Sequence, residues 1–434
     1  MFNKRFYVYV LLTYLTGTTI ATFVPIMSLY LTDVVKASEY QVGFYYIIFS
    51  TLGIAVTQFL AKLSDTRISR RFLVKFASFS GVCAALIYMN FPYYYLIITV
   101  GVLFLSTSSI ANAQIFASGR EYSIYKYGQS VLFTSFMRAS FALAWVVAPP
   151  IGYWIYNEYG YETLFKFTVL SFALYGVVSH FFLPNTSLSF LQNEDKSQSK
   201  EDKISDKLLE GQEASLAQNK SIESTSNINE PKDKILGNKD VMLLFVAFAL
   251  MWTCNFLYLV SMPIYIKNEL QVSETLPGFM MATCAGLEVP IMIVGGYFAR
   301  KIGIKILIQI SVCSAFLFYL TFINIPADSE YAKTMFICSQ LLNATYIGLF
   351  AGLGMVYFQE LLPSIPGQAT SLFNNSGNVG FILSGIVIMF IVPIGKMLGN
   401  VSYGNTFLFS IVFMVLAFLI LLSIKKVQIR GEKK

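Results

Sequence analysis

"VGFYYIIFSTLGIAVTQFLAKLSD", Val42 to Asp65, has a second version in "PGFMMATCAGLEVPIMIVGGYFARK", Pro277 to Lys301. Each carries Gly-Phe at its start, Gly43-Phe44 and Gly278-Phe279, and a charged residue 22 positions after the glycine, Asp65 and Arg300. A further echo follows in the same order: Glu121 precedes Gly128-Gln129 by seven residues, and Glu360 precedes Gly367-Gln368 by seven. The two echoes are separated by 235 and 239 residues. Two matches in the same order imply a duplicated unit whose copies run in the same direction. In a membrane chain such parallel repeats form two bundles about a central cavity, and transport proceeds by rocking one against the other.

Both quoted segments are apolar over about 20 residues, enough for a helix to cross the hydrocarbon core. Ten more blocks of that kind bring the total to twelve. The expected spans are 6–31, 40–63, 72–92, 95–118, 130–156, 163–183, 240–265, 276–299, 303–324, 332–358, 368–392 and 403–424. The blocks are continuous and lack the period-two alternation of a barrel strand, so they are helices. Of the 434 residues 56% are hydrophobic and 13% charged. Soluble domains carry about 25% charged residues, so this supply cannot clothe a water-soluble surface. The expected fold is an all-α integral membrane protein, twelve transmembrane helices in two six-helix bundles. The first run, 6–31, is read as an uncleaved span, because it is too long for a signal peptide and lacks a small-x-small cleavage site.

Between the sixth and seventh blocks the composition changes. "LQNEDKSQSKEDKISDKLLEGQEASLAQNKSIESTSNINEPKDK" has no aromatic residue and mixes acids, lysines and small polar residues. Such a segment buries too little apolar surface to fold alone. The expected organisation is a first bundle over 1–184, a cytoplasmic linker over 185–239, a second bundle over 240–424 and a basic tail over 425–434.

The net charge of +7 is unevenly placed. With the N-terminus inside, 25 Lys and Arg fall inside, five outside (Lys36, Lys166, Lys267, Lys333, Lys396) and one, Arg138, within a span. That asymmetry puts both termini in the cytoplasm and removes the need for a nucleic-acid partner. The five cysteines lie in spans at no metal-ligand spacing, and neither a metal nor a cofactor is expected. One histidine and no nucleophile–base motif oppose an intramembrane enzyme. The linker does not look like the folded signalling domain a sensor would add. No Gly-Lys-Ser/Thr phosphate loop points to ATP as the energy source.

The loop after the second span, "AKLSDTRISRRF", places Asp65 near the membrane with Arg70 and Arg71 beyond it. It resembles the cytoplasmic signature of the major facilitator superfamily, Gly-x-x-x-Asp-Arg/Lys-x-Gly-x-Arg/Lys-Arg/Lys, although Ala61, Thr66 and Ile68 depart from it. An Asp at a helix end, facing an Arg, makes a charge-assisted latch that can break and re-form. The expected latch residues are Asp65, Arg70, Arg71, Arg120 and Glu121, with Arg300 and Glu360 from the second copy. The alternative is that the arginines only anchor the loop inside. Ser135, Ala144, Ala148-Pro149 and Gly152 fall at the spacing of the superfamily's antiporter signature, with three of its four glycines replaced. A plain packing seam explains them equally well.

"IFASGREYSIYKYGQSVLFTSFMRASFALAWVVAPPIGYW" is similar to the corresponding segment of the sugar efflux transporter family within that superfamily, and "PGFMMATCAGLEVPIMIVGGYFARKIG" resembles that family's eighth span. The resemblance extends over both halves. It implies export of sugars or glycosides from the cytoplasm of a bacterial cell, across the inner membrane, by a monomer. A proton is the economical coupling ion. Arg138 lies about 12 Å along its helix from Ser130, and Glu288 about 18 Å from Arg300. A charge at such depth should face water or a partner. The superfamily fold puts the fifth and eighth spans side by side, which implies an Arg138–Glu288 pair, either a static ion pair or part of the transport cycle. Glu288 is the candidate proton carrier.

Candidate ligand contacts are the amides within spans, Asn112, Asn255, Gln340, Asn343, Asn374 and Asn378, together with Arg138 and the aromatic faces of Trp145 and Tyr258. Amides both donate and accept, as sugar hydroxyls do. Each amide is equally well explained as a hydrogen bond between helices. The rival within transport is a multidrug/proton antiporter, which a cavity lined by Phe and Met would favour over one lined by Asn and Gln.

Overall fold

The structure, a computed structural model, describes residues 3–66, 68–127, 131–184, 238–363, 365–397 and 403–424. Every element in it is helical. The first half holds α1 (Lys4–Val34), α2 (Glu39–Thr66), α3 (Arg70–Asn90), α4 (Tyr94–Tyr127), α5 (131–159) and α6 (161–182). The second holds α7 (Lys239–Glu269), α8 (Leu276–Ile302), α9 (Ile304–Ile323), α10 (Ala332–Leu361), α11 (Pro366–Met397) and α12 (Gly404–Ser423). Among the described residues, eleven helices are long and apolar enough to cross a membrane. One of them, Val131–Phe182, breaks at Gly160 (φ +78°) into α5 and α6, which makes twelve spans. Of the expected linker over 185–239, residues 185–237 lie outside the described residues, as does the tail over 425–434; Lys239 already begins α7.

Local sequence sets the helix ends. Asn3, Ser69 and Asn238 cap α1, α3 and α7 by accepting N–H bonds from Phe6, Phe72 and Asp240. Such caps satisfy donors the helix itself leaves orphaned. Gly303, at φ +88°, ends α8 and turns the chain into α9, a conformation that favours glycine. Pro149 and Pro150 sit inside α5 without ending it. A neighbour packs close against their turn: Gly152 lies so near α1 that an added Cβ would stand 3.1 Å from the Thr22 carbonyl.

The duplication is visible in three dimensions at a detail the spans alone do not reveal. α1 ends in one wide turn over Tyr30–Val34 and α7 in another over Tyr265–Glu269, 235 residues apart. In both the hydrogen bond reaches back five residues, Val35 N–H to Tyr30 O (3.1 Å) and Leu270 N–H to Tyr265 O (2.8 Å). In both a further bond reaches back six, Ala37 to Leu31 and Val272 to Ile266. Each is closed by a residue at positive φ, Lys36 at 57° and Gln271 at 53°. These two are the only non-glycine residues with positive φ among the described residues, and they occupy equivalent positions in the repeat.

The halves meet along α2–α11 and α5–α8. The repeated glycines lie in those contacts. Gly43 is so close to α11 that an added Cβ would stand 2.5 Å from the Gly385 carbonyl, and one on Gly278 would stand 2.9 Å from Pro150 Cα. Both contacts lie at the end remote from the start of α1. The buried core follows the same division. One cluster joins the remote ends of the first half (Tyr30, Tyr46, Tyr153) to the second half without interruption. The other, around Tyr9, Leu73, Ile115 and Phe133, belongs to the first half alone. The molecule is therefore a wedge, closed at one end and parted at the end where α1 begins and α12 finishes.

Candidate functional site

Between the halves lie two adjoining compartments. The inner chamber, about 280 Å3, is walled mostly by apolar side chains, among them the rings of Phe23, Trp145, Phe172 and Tyr175 from the first half and Phe256 and Phe381 from the second. Its polar groups include Thr16, Thr19, Ser108 and Asn112. Asn112 Oδ1 is buried and has no hydrogen-bond partner, so the chamber offers an unused acceptor. A buried polar atom without a partner is costly, and a ligand donor or a water is the usual remedy. The outer vestibule, about 550 Å3, opens towards the parted end. It is lined by Ser50, Thr57 and Gln58 of α2 and by Ser371, Asn374, Asn375 and Asn378 of α11. The side chains of Asn374 and Asn375 are exposed there.

The expected ligand residues divide. Asn112 and Trp145 line the chamber, and Asn374 and Asn378 the vestibule. Tyr258, Gln340 and Asn343 do not reach either compartment and are corrected to core residues. They are 4%, 0% and 1% exposed, and Tyr258 Oη and Asn343 Nδ2 both donate to Gln340 Oε1, at 3.0 and 3.1 Å. The physical reason is rotation: those faces of α7 and α10 turn into the second bundle, where Tyr258 and Asn343 donate to Gln340. Asn255 is half-buried and lines neither compartment, although its neighbour Phe256 lines the chamber.

Arg138 is exposed in a third opening, between α5 and α8, lined also by Ser135, Ala139, Val289 and Met292. No ion pair joins Arg138 to Glu288 among the described residues, and this corrects the expected pair. α5 and α8 touch at the closed end, around Gly278 and Pro150, and have diverged by the level of Arg138. Glu288 is half-buried next to Val289, with its carbonyl oxygen against α10 at Gly348.

At the parted end, Arg70 at the start of α3 grips Glu121 near the end of α4 in a two-pronged pair, Nε to Oε2 at 2.9 Å and Nη2 to Oε1 at 2.6 Å. Its third prong donates to Gln114 Oε1 at 2.9 Å. Bidentate charge-assisted bonds of this kind fix geometry as well as adding energy. Arg71 is half-buried, and its Nε has no partner. Arg120 is exposed. The side chains of Asp65 and Arg300 lie outside the described residues, and Glu360 is half-buried at the end of α10. The second copy has diverged: Lys305, the repeat counterpart of Arg70, donates to the carbonyls of Leu422 and Ile424 and so closes the end of α12.

A polar cluster at the closed end was not anticipated. Asp33 on the wide turn of α1 accepts from Asn268 Nδ2 on the wide turn of α7 at 3.0 Å, and Lys267 Nζ lies 3.5 Å from its other oxygen. Lys267 also stands 3.7 Å from Glu274 and 5.2 Å from the centre of the Tyr156 ring, and Asn157 Nδ2 donates to the Glu274 carbonyl. Asp33 and Asn268 are repeat equivalents, so they meet across the axis relating the halves. Aligning the halves at 235 residues would have paired them, but lysines and acids at span ends look like ordinary interfacial charge.

Known proteins place this arrangement. Residues 123–385 match the family model of the Major Facilitator Superfamily. The chain is similar to sugar efflux transporter B of Salmonella typhimurium, 33% identical over 419 residues that cover 96% of this chain and 95% of that protein. It is 33% identical over 393 residues to sugar efflux transporter A of Escherichia coli, covering 89% and 88% of the two chains. Among solved structures, the nucleoside transporter NupG superposes with a TM-score of 0.73 at 14% identity, covering 97% of this chain and 99% of that one. A bacterial homologue of the iron transporter ferroportin in its inward-facing state superposes with a TM-score of 0.70 at 15% identity, covering 96% and 98%. At those identities the likeness concerns the fold alone.

Proposed function

The chain belongs to the sugar efflux transporter family of the major facilitator superfamily, and from that membership we propose that it exports sugars or glycosides from the cytoplasm in exchange for protons. It is a membrane transporter and not an enzyme. The observation that carries the proposal is the amide-lined vestibule leading to a chamber with an unsatisfied acceptor at Asn112. Sugar hydroxyls would be met first by Asn374, Asn375, Asn378 and Gln58, and the CH face of a ring would then lie against Trp145. With both termini in the cytoplasm, as the lysine and arginine distribution indicates, the parted end faces the cytoplasm. The conformation is then the loading state of an exporter.

Glu288 is our candidate for the proton-coupling group, a carboxyl within a span beside the α5–α8 opening. In this conformation Arg138 is free of it and is available to hydrogen-bond a ligand through its guanidinium. A second reading is favoured by the aromatic walls of the chamber, which suit an apolar drug as well as a sugar face. Efflux of radiolabelled sugars and of a lipophilic dye, compared in inverted and right-side-out vesicles with and without a pH gradient, separates the two. Saturable, gradient-driven sugar movement that Asn378→Ala and Asn112→Ala weaken supports the proposal. Dye movement with no sugar movement in either vesicle type would replace it with the drug antiporter.

A further inference from the structure

Chamber and vestibule share three residues, Phe49, Ser109 and Phe381. Phe49 comes from α2 and Phe381 from α11, so each half of the molecule supplies one ring. The rings meet edge to face with centroids 5.9 Å apart and planes at 83°. Both are half-buried, exposed to the space on either side. Each is held from behind. Phe381 packs on Phe256 at 4.3 Å, and Phe256 stacks on Trp252 at 5.6 Å. Phe49 stacks on Tyr45 at 6.3 Å with an interplanar angle of 7°.

The rings stand where the two helices part. Beyond them, towards the closed end, α2 and α11 come to backbone contact at Gly43 and Gly385. Beside them Ser50 Oγ donates to the Asn378 carbonyl at 3.5 Å. On the other side the helices diverge into the vestibule. The other inter-half contact has no such wall. At the repeat spacings, the counterpart of Phe49 on α8 is Cys284, and the counterpart of Phe381 on α5 is Ala142, which lines the open α5–α8 cleft. Duplication therefore supplied two equivalent positions for a barrier, and bulky rings occupy one of them.

We infer that Phe49 and Phe381 form a two-ring sieve between vestibule and chamber that sets the size of ligand this transporter accepts. The amides of the vestibule test hydrogen bonding. The rings test girth, because a ligand must part or slide past two side chains carried by different halves and braced by further aromatics. The inference rests on reading vestibule and chamber as one ligand path, as the proposed function does, but it does not depend on which ligand uses that path.

The test has two arms. In the first, Asn112→Cys marks the chamber and Asn374→Cys the vestibule. Each is labelled from the cytoplasmic side with thiol reagents of graded size, against the background of the native cysteines, with Thr19→Cys as a second chamber marker should Asn112→Cys fail to fold. Phe381→Ala should raise the rate at the chamber position at least tenfold for the largest reagent and less than twofold for the smallest, with no change at Asn374→Cys. In the second, uptake of a monosaccharide, a disaccharide and a trisaccharide is compared within one variant, so that protein abundance cancels. Phe49→Ala and Phe381→Ala should raise the trisaccharide to monosaccharide ratio at least tenfold, and Phe381→Leu by less. An unchanged labelling rate for the large reagent, or a ratio that stays at the wild-type value, overturns the sieve. If the wild type moves no sugar, the sugar proposal fails while the labelling arm still decides the sieve.

Discussion

Gly43→Ala puts a single methyl group where a glycine of one half lies against the backbone of the other. The added Cβ would stand 2.5 Å from the Gly385 carbonyl oxygen, 2.6 Å from the Met389 nitrogen and 2.8 Å from Met389 Cβ. Two of the three atoms are backbone and cannot rotate away. Ordinary contact begins at 3.4 Å, so α2 and α11 must separate by the difference from 2.5 Å, about 0.9 Å. Overpacking of this kind costs about 1–3 kcal/mol. The cost falls on the state in which the end remote from the termini is closed, because opening that end separates the two helices. The ratio of outward-open to inward-open protein should therefore rise about 5- to 150-fold. Labelling of Asn112→Cys by a membrane-impermeant thiol reagent added outside reads that ratio, and it should accelerate by the same factor while transport slows. Gly53→Ala, on the same helix where an added Cβ meets nothing within 4 Å, should change neither. Gly278→Ala, with its closest approach at 2.9 Å, should give a smaller shift of the same sign. Wild-type labelling and wild-type transport in Gly43→Ala would refute the assignment of this contact to the closed state.

Other expectations follow from the same geometry. Glu121→Gln removes the charge from a two-pronged pair and should cost about 1–3 kcal/mol of interaction; turnover should fall with near-normal ligand affinity, and weakened binding at unchanged turnover would show that the group belongs to a ligand site. Lys267→Ala breaks a partly shielded contact worth roughly 0.2–1 kcal/mol, so external labelling of the chamber should rise up to about fivefold, and less at high salt. Glu288→Gln should keep ligand binding and lose accumulation driven by a pH gradient; intact accumulation would remove Glu288 as the proton carrier. Replacing residues 195–230 by a short Gly/Ser tether should leave export unchanged in vesicles matched for protein amount, and loss of export would give the linker a role.

The spans, the duplication and the family were legible because each is written in long apolar blocks or in repeated spacing, signals that survive without coordinates. Within the site, legibility depended on helix rotation. Asn112, Trp145, Asn374 and Asn378 face the compartments, whereas Gln340 and Asn343 lie equally deep in a span but face inward to their own bundle. A span that is apolar on all sides gives little indication of which side faces which neighbour. Arg138 and Glu288 were paired from the order of helices, which says nothing of how far the halves have swung apart. Phe49 and Phe381 could not be singled out among 39 phenylalanines, since a ring acquires meaning only from the space on each side of it. Arg70 and Glu121 were both named for the latch, but the motif set Asp65 against the arginines, and only the structure shows Arg70 on Glu121.

The contact between Asp33 and Asn268 has a consequence for assembly. On a true two-fold axis a residue meets its own copy. A dimer of two first halves would set Asp33 against Asp33, two like charges within hydrogen-bonding range, and would be driven open at that end. A dimer of two second halves would set Asn268 against Asn268 and leave each Lys267 only Glu274 of its own half, 3.7 Å away. Only the mixed pair sets a carboxylate, Asp33, across the axis from the amide donor Asn268 and the cation Lys267. The two halves are thus no longer interchangeable partners: expressed as separate polypeptides, they should find each other in preference to themselves, and fusion into one chain guarantees the one-to-one ratio on which that choice depends.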